Sequence, residues 1–162
     1  KLPFTVAQSE DDYPEFKYIG QHPYTIDYGY YHGYAKLDKE GKAAAYPFGY
    51  GLSYTTFQVS DAQVTECDHS LTVTVNVKNT GKVAGAEVVQ VYVGSKGAAN
   101  GDDRPVKQLK GFRRVELDPG QQKNVEIVVP KEELKFWTPG GWVLDDAYTV
   151  YVGTNCANAA QI

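Results

Sequence analysis

Three places in the chain set carboxylates side by side: Glu10-Asp11-Asp12, Asp102-Asp103 and Asp145-Asp146. Paired carboxylates can divide acid and base work when their surroundings push their proton affinities apart. Each set here reads as part of a loop, and neighbours on an extended chain point to opposite sides. The pattern therefore predicts solvated loop carboxylates rather than a dyad. His22, His32 and His69 are scattered, with no serine or cysteine partner motif that would make a nucleophile. The two cysteines, Cys67 and Cys156, lie 89 residues apart, which offers no metal-ligand spacing. Two readings stay open for them: a disulfide in an oxidising compartment, or two part-buried free thiols. Trp137 and Trp142 also have two readings, a sugar-stacking platform or packing against the core or edge of a sheet; packing is the expectation.

Tyrosine is the unusual residue. Ten of the 13 fall within the first 54 positions. An apolar ring with a hydrogen-bonding tip suits a carbohydrate or protein interface, and it equally suits a segment that packs over another domain; the second reading is the expectation. At 162 residues the chain has room for one domain, or one domain plus a fragment. A net charge of −4 and a pI near 5.3 argue against nucleic acid or an anionic membrane as partner. No apolar run approaches the roughly 20 residues that span a bilayer. Methionine is absent and the first residue is Lys1, so a chain trimmed from a longer precursor is expected.

Residues 1–45 show weak periodicity and too few aliphatic side chains for a core of their own. "QSEDDYPEF" reads as an acidic surface loop, and "KLDKEGKA" as a turn at the tip of an excursion. Glycines and clustered aromatics between Tyr24 and Tyr46 speak against a helix there. The segment is expected to be the tail of a larger domain. Beyond Phe57 the pattern changes. "LTVTVNVKN" (71–79) alternates as a half-buried strand, with Leu71, Val73, Val75 and Val77 on one side. Further strands are predicted at 57–64, 85–94, 107–117, 122–130 and 147–153, with a short one at "GWVL". A bulge is expected near Gly111, a turn at "DPGQ" (118–121), one helical turn at "KEEL" and a polar loop at "SKGAANGDDRPV". About seven short strands in roughly 100 residues predict an antiparallel sandwich of the immunoglobulin or fibronectin type III kind.

Between the two parts lies "YPFGYGLSYTTF" (46–57). Gly49 and Gly51 give backbone freedom, Pro47 stiffens the approach, and Phe48, Tyr50 and Tyr54 are the expected packing anchors. This stretch resembles the "FPFGHGLSYTTF"-type motif of glycoside hydrolase family 3. The likeness continues in "VKNTGKVAGAEVVQVYV" (77–93), "RPVKQLKGFRRVELDPGQ" (104–121) and "YTVYVGTN" (148–155), and upstream in "KLPFTV" and "YHGYAKLDKEGKAAAYPFGYG". Tyr50 replaces the family's histidine, Ala35 its arginine, and Asp145-Asp146 the "PG" before the last strand.

The resemblance implies a mainly β chain: a fibronectin type III-like sandwich (53–162) preceded by the tail of an α/β sandwich domain and a linker (1–52). It implies the C-terminal part of a secreted, retaining β-glucosidase acting on terminal non-reducing β-D-glucosyl residues. The alternatives are a β-xylosidase or xyloglucan-oligosaccharide hydrolase, and a stand-alone binding or structural module. Neither family motif that carries the catalytic carboxylates occurs here, so the resemblance implies no catalytic residue in this chain, no cofactor and no metal. The implied partners are a larger catalytic portion of the same enzyme and the β-linked oligosaccharide that portion binds. His32, among Tyr30, Tyr31 and Tyr34, and the 95–106 loop could reach the parent's sugar site, although a packed or surface role is the expectation for both.

Overall fold

A computed structural model describes residues 1–14, 29–96 and 103–162. Its main body is a sandwich of two antiparallel sheets. One sheet contains β3 (Phe57–Glu66), β4 (Ser70–Asn79) and β7 (Gln122–Pro130), in the order β3-β4-β7. The other is ordered β11-β10-β5-β6, from β5 (Gly85–Ser95), β6 (Gln108–Leu117), β10 (Tyr148–Gly153) and β11 (Ala160–Gln161). Two small hairpins complete it: β1 (Val6–Ala7) with β2 (Ala44–Tyr46), and β8 (Phe136–Thr138) with β9 (Gly141–Val143). The mainly β, fibronectin-like architecture expected from the alternation is present.

The core follows directly from the period-two pattern. Leu71, Val73, Val75 and Val77 of β4 meet Val89, Val91 and Val93 of β5 across the interior, joined by Val125, Ile127 and Val129 of β7 and Val150 and Val152 of β10. Branched side chains suit this pleated, two-sided packing. The expected bulge occurs: Val91 pairs with Gly111 and Tyr92 with Leu109, leaving Lys110 as the extra residue. A second bulge interrupts β3 between Ser60 and Gln63, where Asp61 takes φ 54°. "DPGQ" turns as predicted, with Gly120 at φ 74° and the Gln121 N–H donating to the Asp118 carbonyl at 3.0 Å. "KEEL" forms one 3-10 turn, Lys131–Leu134.

Asn79 ends β4 and ties the entry of the sandwich together. Its amide donates to the carbonyls of Val83 (2.8 Å) and Leu117 (3.0 Å). Its Oδ1 accepts from the Thr55 hydroxyl (2.7 Å) and the Gly81 N–H (3.0 Å). All four bonding positions of one fully buried amide are thus in use.

The first third differs from its expectation in one element. Residues Gly33–Glu40 form a helix, α1, where a turn without helix was predicted. Ala35, Lys36, Leu37, Lys39 and Glu40 all favour a helix, and Leu37 is buried and supplies the tertiary packing that so short a helix needs. Gly41, at φ 65°, closes the end, with the Lys42 N–H donating to the Leu37 carbonyl at 2.9 Å.

Candidate functional site

The joint is built by one clamp and one insertion. The Leu2 N–H donates to the Tyr50 carbonyl (2.7 Å), and the Gly49 N–H to the Leu2 carbonyl (2.8 Å). The Tyr50 N–H donates to the Pro47 carbonyl at 3.0 Å, and the Cys156 N–H to the Phe48 carbonyl at 3.0 Å. Gly49, at φ 80°, lies directly on the Gln90 amide, where a Cβ would stand 2.4 Å from both Nε2 and Oε1. Gln90 is itself fixed: Nε2 donates to the Thr154 carbonyl (2.9 Å) and Oε1 accepts from the Tyr92 hydroxyl (2.5 Å). Gly51 passes close to the Lys1 backbone.

Rings and ions extend this contact. Tyr34 of α1 lies 5.4 Å from Phe48 and edge-on to Tyr92 at 5.9 Å, and its hydroxyl accepts from the Leu109 N–H at 3.1 Å. Lys107 meets Asp38 of α1 at 2.8 Å, and Lys1 meets Glu87 at 2.7 Å. The tail segment therefore covers Gln90 and Tyr92, while Val89, Val91 and Val93 of the same strand face the core, so β5 is buried on both sides. Tyr54 does not join the anchors. It is 101% exposed and Leu52 is 89% exposed, so neither packs against the described residues. Tyr50 pairs instead with Tyr46, at 5.5 Å.

The rest of the tail presents apolar surface outward. Phe4, Tyr13, Tyr30, Tyr34 and Phe48, with Pro105 from the sandwich, line a hollow of about 580 Å³. Phe4 and Tyr30 are 54% and 68% exposed. On the sandwich, Trp137 and Trp142 face each other across β8 and β9 at 5.6 Å and are 65% and 66% exposed. Their expected packing is corrected. The two indoles share one face of a two-stranded hairpin that nothing in the described chain covers.

Three of the described carboxylates from the sequence pairs are held by cations: Asp12 by Lys42 (2.8 Å), Asp103 by Lys39 (2.5 Å) and Asp145 by Arg104 (2.5 Å). Lys42 holds the Asp12 carboxyl below its ordinary range, and Lys39 does the same for Asp103. His32 precedes α1 at its N-terminus without a side-chain capping bond and is exposed, and His69 lies in the β3–β4 turn. His22, Asp102 and residues 97–102 of the polar loop lie outside the described residues. No group of three or more potential metal ligands occurs among the described residues.

The disulfide reading is also corrected, since both cysteines are free. Cys67 is exposed in the turn after β3, while Cys156 is buried beside Phe48. The ten residues of β3 alone, about 30 Å of extended chain, lead away from the joint to Cys67. Burial pushes the Cys156 thiol above its ordinary 9.0 and raises the Tyr34 and Tyr92 phenols as well. Two results follow. A thiol reagent should label Cys67 alone in the native chain and both cysteines after unfolding, as counted by mass. Because the folded state holds these three protons more tightly, stability should fall as pH rises above about 9. Thermal melts from pH 7 to 10 check the sign.

Residues 87–156 match the family described as "Fibronectin type III-like domain". The chain is 37% identical over 163 residues to probable beta-glucosidase K of Emericella nidulans, covering 98% of this chain and 19% of that one. It is 43% identical over 148 residues to probable beta-glucosidase I of Aspergillus flavus, covering 85% and 17%. The solved GH3 beta-glucosidase of Bifidobacterium adolescentis superposes with a TM-score of 0.85 at 34% identity, over 98% of this chain and 25% of that one. The chain spans less than a fifth of the length of these curated relatives. By sequence and by fold, it belongs with the C-terminal regions of the family 3 glycoside hydrolases, and its sandwich is their fibronectin type III-like domain.

Proposed function

We propose that this chain is the non-catalytic C-terminal part of a retaining β-glucosidase that hydrolyses terminal non-reducing β-D-glucosyl residues. Its work is to pack on the larger catalytic portion and stabilise it. Residues 1–52 complete the α/β sandwich domain of that portion, and residues 53–162 form the fibronectin type III-like domain. A retaining mechanism needs two carboxyl groups about 5–5.5 Å apart. Neither family motif for those groups occurs in this chain, and Asp12, Asp103 and Asp145 are each held by a cation, so on this reading the larger portion supplies both. The enzyme is extracellular on this reading, which rests on the family likeness alone now that the cysteines are unpaired.

The observation that carries the proposal is the apolar surface of the tail. Phe4, Tyr30, Tyr46, Leu52 and Tyr54 are all at least half exposed, and Phe4 and Tyr30 border a hollow also lined by Tyr13, Tyr34 and Phe48. A lone soluble module would not keep so much apolar side-chain surface in water. The β-glucosidase relatives, five times longer, support a larger portion as its cover. Native and then denaturing mass measurement, with an aryl-β-glucoside assay on the same sample, tests it. A native mass that resolves into this chain plus a larger one, with activity, is expected. A monodisperse, inactive 17.9 kDa species with protease-resistant residues 1–45 would overturn the reading.

A further inference from the structure

The β8–β9 hairpin is held at its base and its tip, and it displays its tryptophans between them. At its base the Arg104 guanidinium lies 4.1 Å over the Phe136 ring and pairs with Asp145 at 2.5 Å. At its tip the Thr138 hydroxyl donates to the Gly141 carbonyl (2.9 Å) and accepts from the Gly140 N–H (3.2 Å). Trp137 and Trp142 are cross-strand partners between these two fixed ends. Strand alternation places Phe136 and Val143 on the other face, so the tryptophan face carries no aliphatic side chain. Two-thirds exposed indoles on a stem held at both ends are already arranged for a ligand, with little ordering left to do on binding.

The geometry points to a carbohydrate-binding platform on this hairpin, formed by Trp137 and Trp142 and specific for single, soluble β-linked gluco-oligosaccharide chains. A β-linked glucose unit has equatorial substituents, so both flat faces of its ring are C–H surfaces, which stack on an indole. The indole N–H is left to bond hydroxyls. The two rings meet at 75°, forming a corner. One ring takes a sugar face and the other closes on its edge. A crystalline glucan surface would instead need coplanar rings, so insoluble cellulose is excluded as the ligand. The choice of glycan rests on the glycosidase reading above; the platform itself does not.

The chain contains two tryptophans, both at this site, so its indole emission reports on the platform alone. Titration of the 162-residue chain with cellotetraose should give a saturable change in that emission, while maltotetraose and microcrystalline cellulose give none. In calorimetry, Trp137→Ala and Trp142→Ala should each weaken binding by about tenfold or more, the loss of one stacked ring. Trp137→Phe and Trp142→Phe should keep most of the affinity. Both positions are exposed, and a circular dichroism spectrum establishes that each variant is folded. Emission that does not respond to cellotetraose, or alanine variants that bind as well as the parent, would overturn the platform. If cellotetraose binds but the mass and aryl-glucoside experiment fails, the enzyme reading falls and the platform stands. If activity is found without cellotetraose binding, the platform alone falls.

Discussion

Replacing Asn79 by alanine should lower the stability of the chain by about 3 kcal/mol, which for a chain of this size is a fall of about 10 °C in Tm. The side chain is fully buried and makes four hydrogen bonds. Alanine leaves the Leu117 carbonyl and the Thr55 hydroxyl without their partners, in an interior where each unmet polar group costs about 1–3 kcal/mol. The loss is not confined to one strand. Thr55 belongs to the joint, Val83 and Gly81 to the turn into β5, and Leu117 to the end of β6. Thr55→Val removes only one of the four bonds and should cost about 1 kcal/mol. Thermal unfolding of both variants would distinguish a shared hub from a set of unrelated contacts, since equal losses would refute the hub.

Gly49→Val should be at least as damaging, by about 4 kcal/mol, through two separate causes. A β-branched residue at φ 80° adopts a backbone conformation that such residues rarely take, at about 1–3 kcal/mol. Even its first carbon would stand 2.4 Å from the Gln90 amide. The end of a long side chain can usually swing aside. Gln90 cannot do so cheaply, because it is 3% exposed and bonded to Thr154 and Tyr92. Gly120 provides the control. It has a similar φ of 74° but nothing within 4 Å, so Gly120→Ala should show the backbone cost alone, about 1 kcal/mol. Equal melting temperatures for the two variants would refute close packing at the joint.

The sheet was legible because its residues repeat with the period of a strand. In β4 every second residue from Leu71 to Val77 is aliphatic and buried, and β7 repeats the pattern at Val125, Ile127 and Val129. Gly111 and Gly120 mark a bulge and a turn through local chemistry, which needs no tertiary information. The helix α1 was missed because the glycines and clustered aromatics before it, ending in Gly33 and Tyr34, outweighed the helix formers Ala35, Lys36, Leu37, Lys39 and Glu40 that follow. Its signal was Gly41 after "KLDKE", a helix stop read as a loop tip. The double burial of β5 was also partly visible: "VVQVYV" is close to a continuous apolar run, which belongs to a strand covered on both faces. What covered it was not visible, because Gly49 and Gln90 are 41 positions apart. The tryptophans and cysteines failed for a related reason. Residue type gives the chemistry of an indole or thiol, whereas exposure depends on what the fold brings alongside.

The two-sided burial of β5 also has a consequence in time. A ribosome makes the tail before the sandwich, yet Phe48 finds its backbone partner only when Cys156 has been made, 108 residues later. At ordinary synthesis rates of about 5–20 residues per second, that delay is about 5–20 s. Throughout it, Tyr34 and Phe48 have no finished sheet to settle on, and once β5 emerges its Gln90–Tyr92 face cannot be fully covered. The nascent chain therefore carries its stickiest surface longest, and any factor that shields growing polypeptides should be needed most in the interval between β5 and β10.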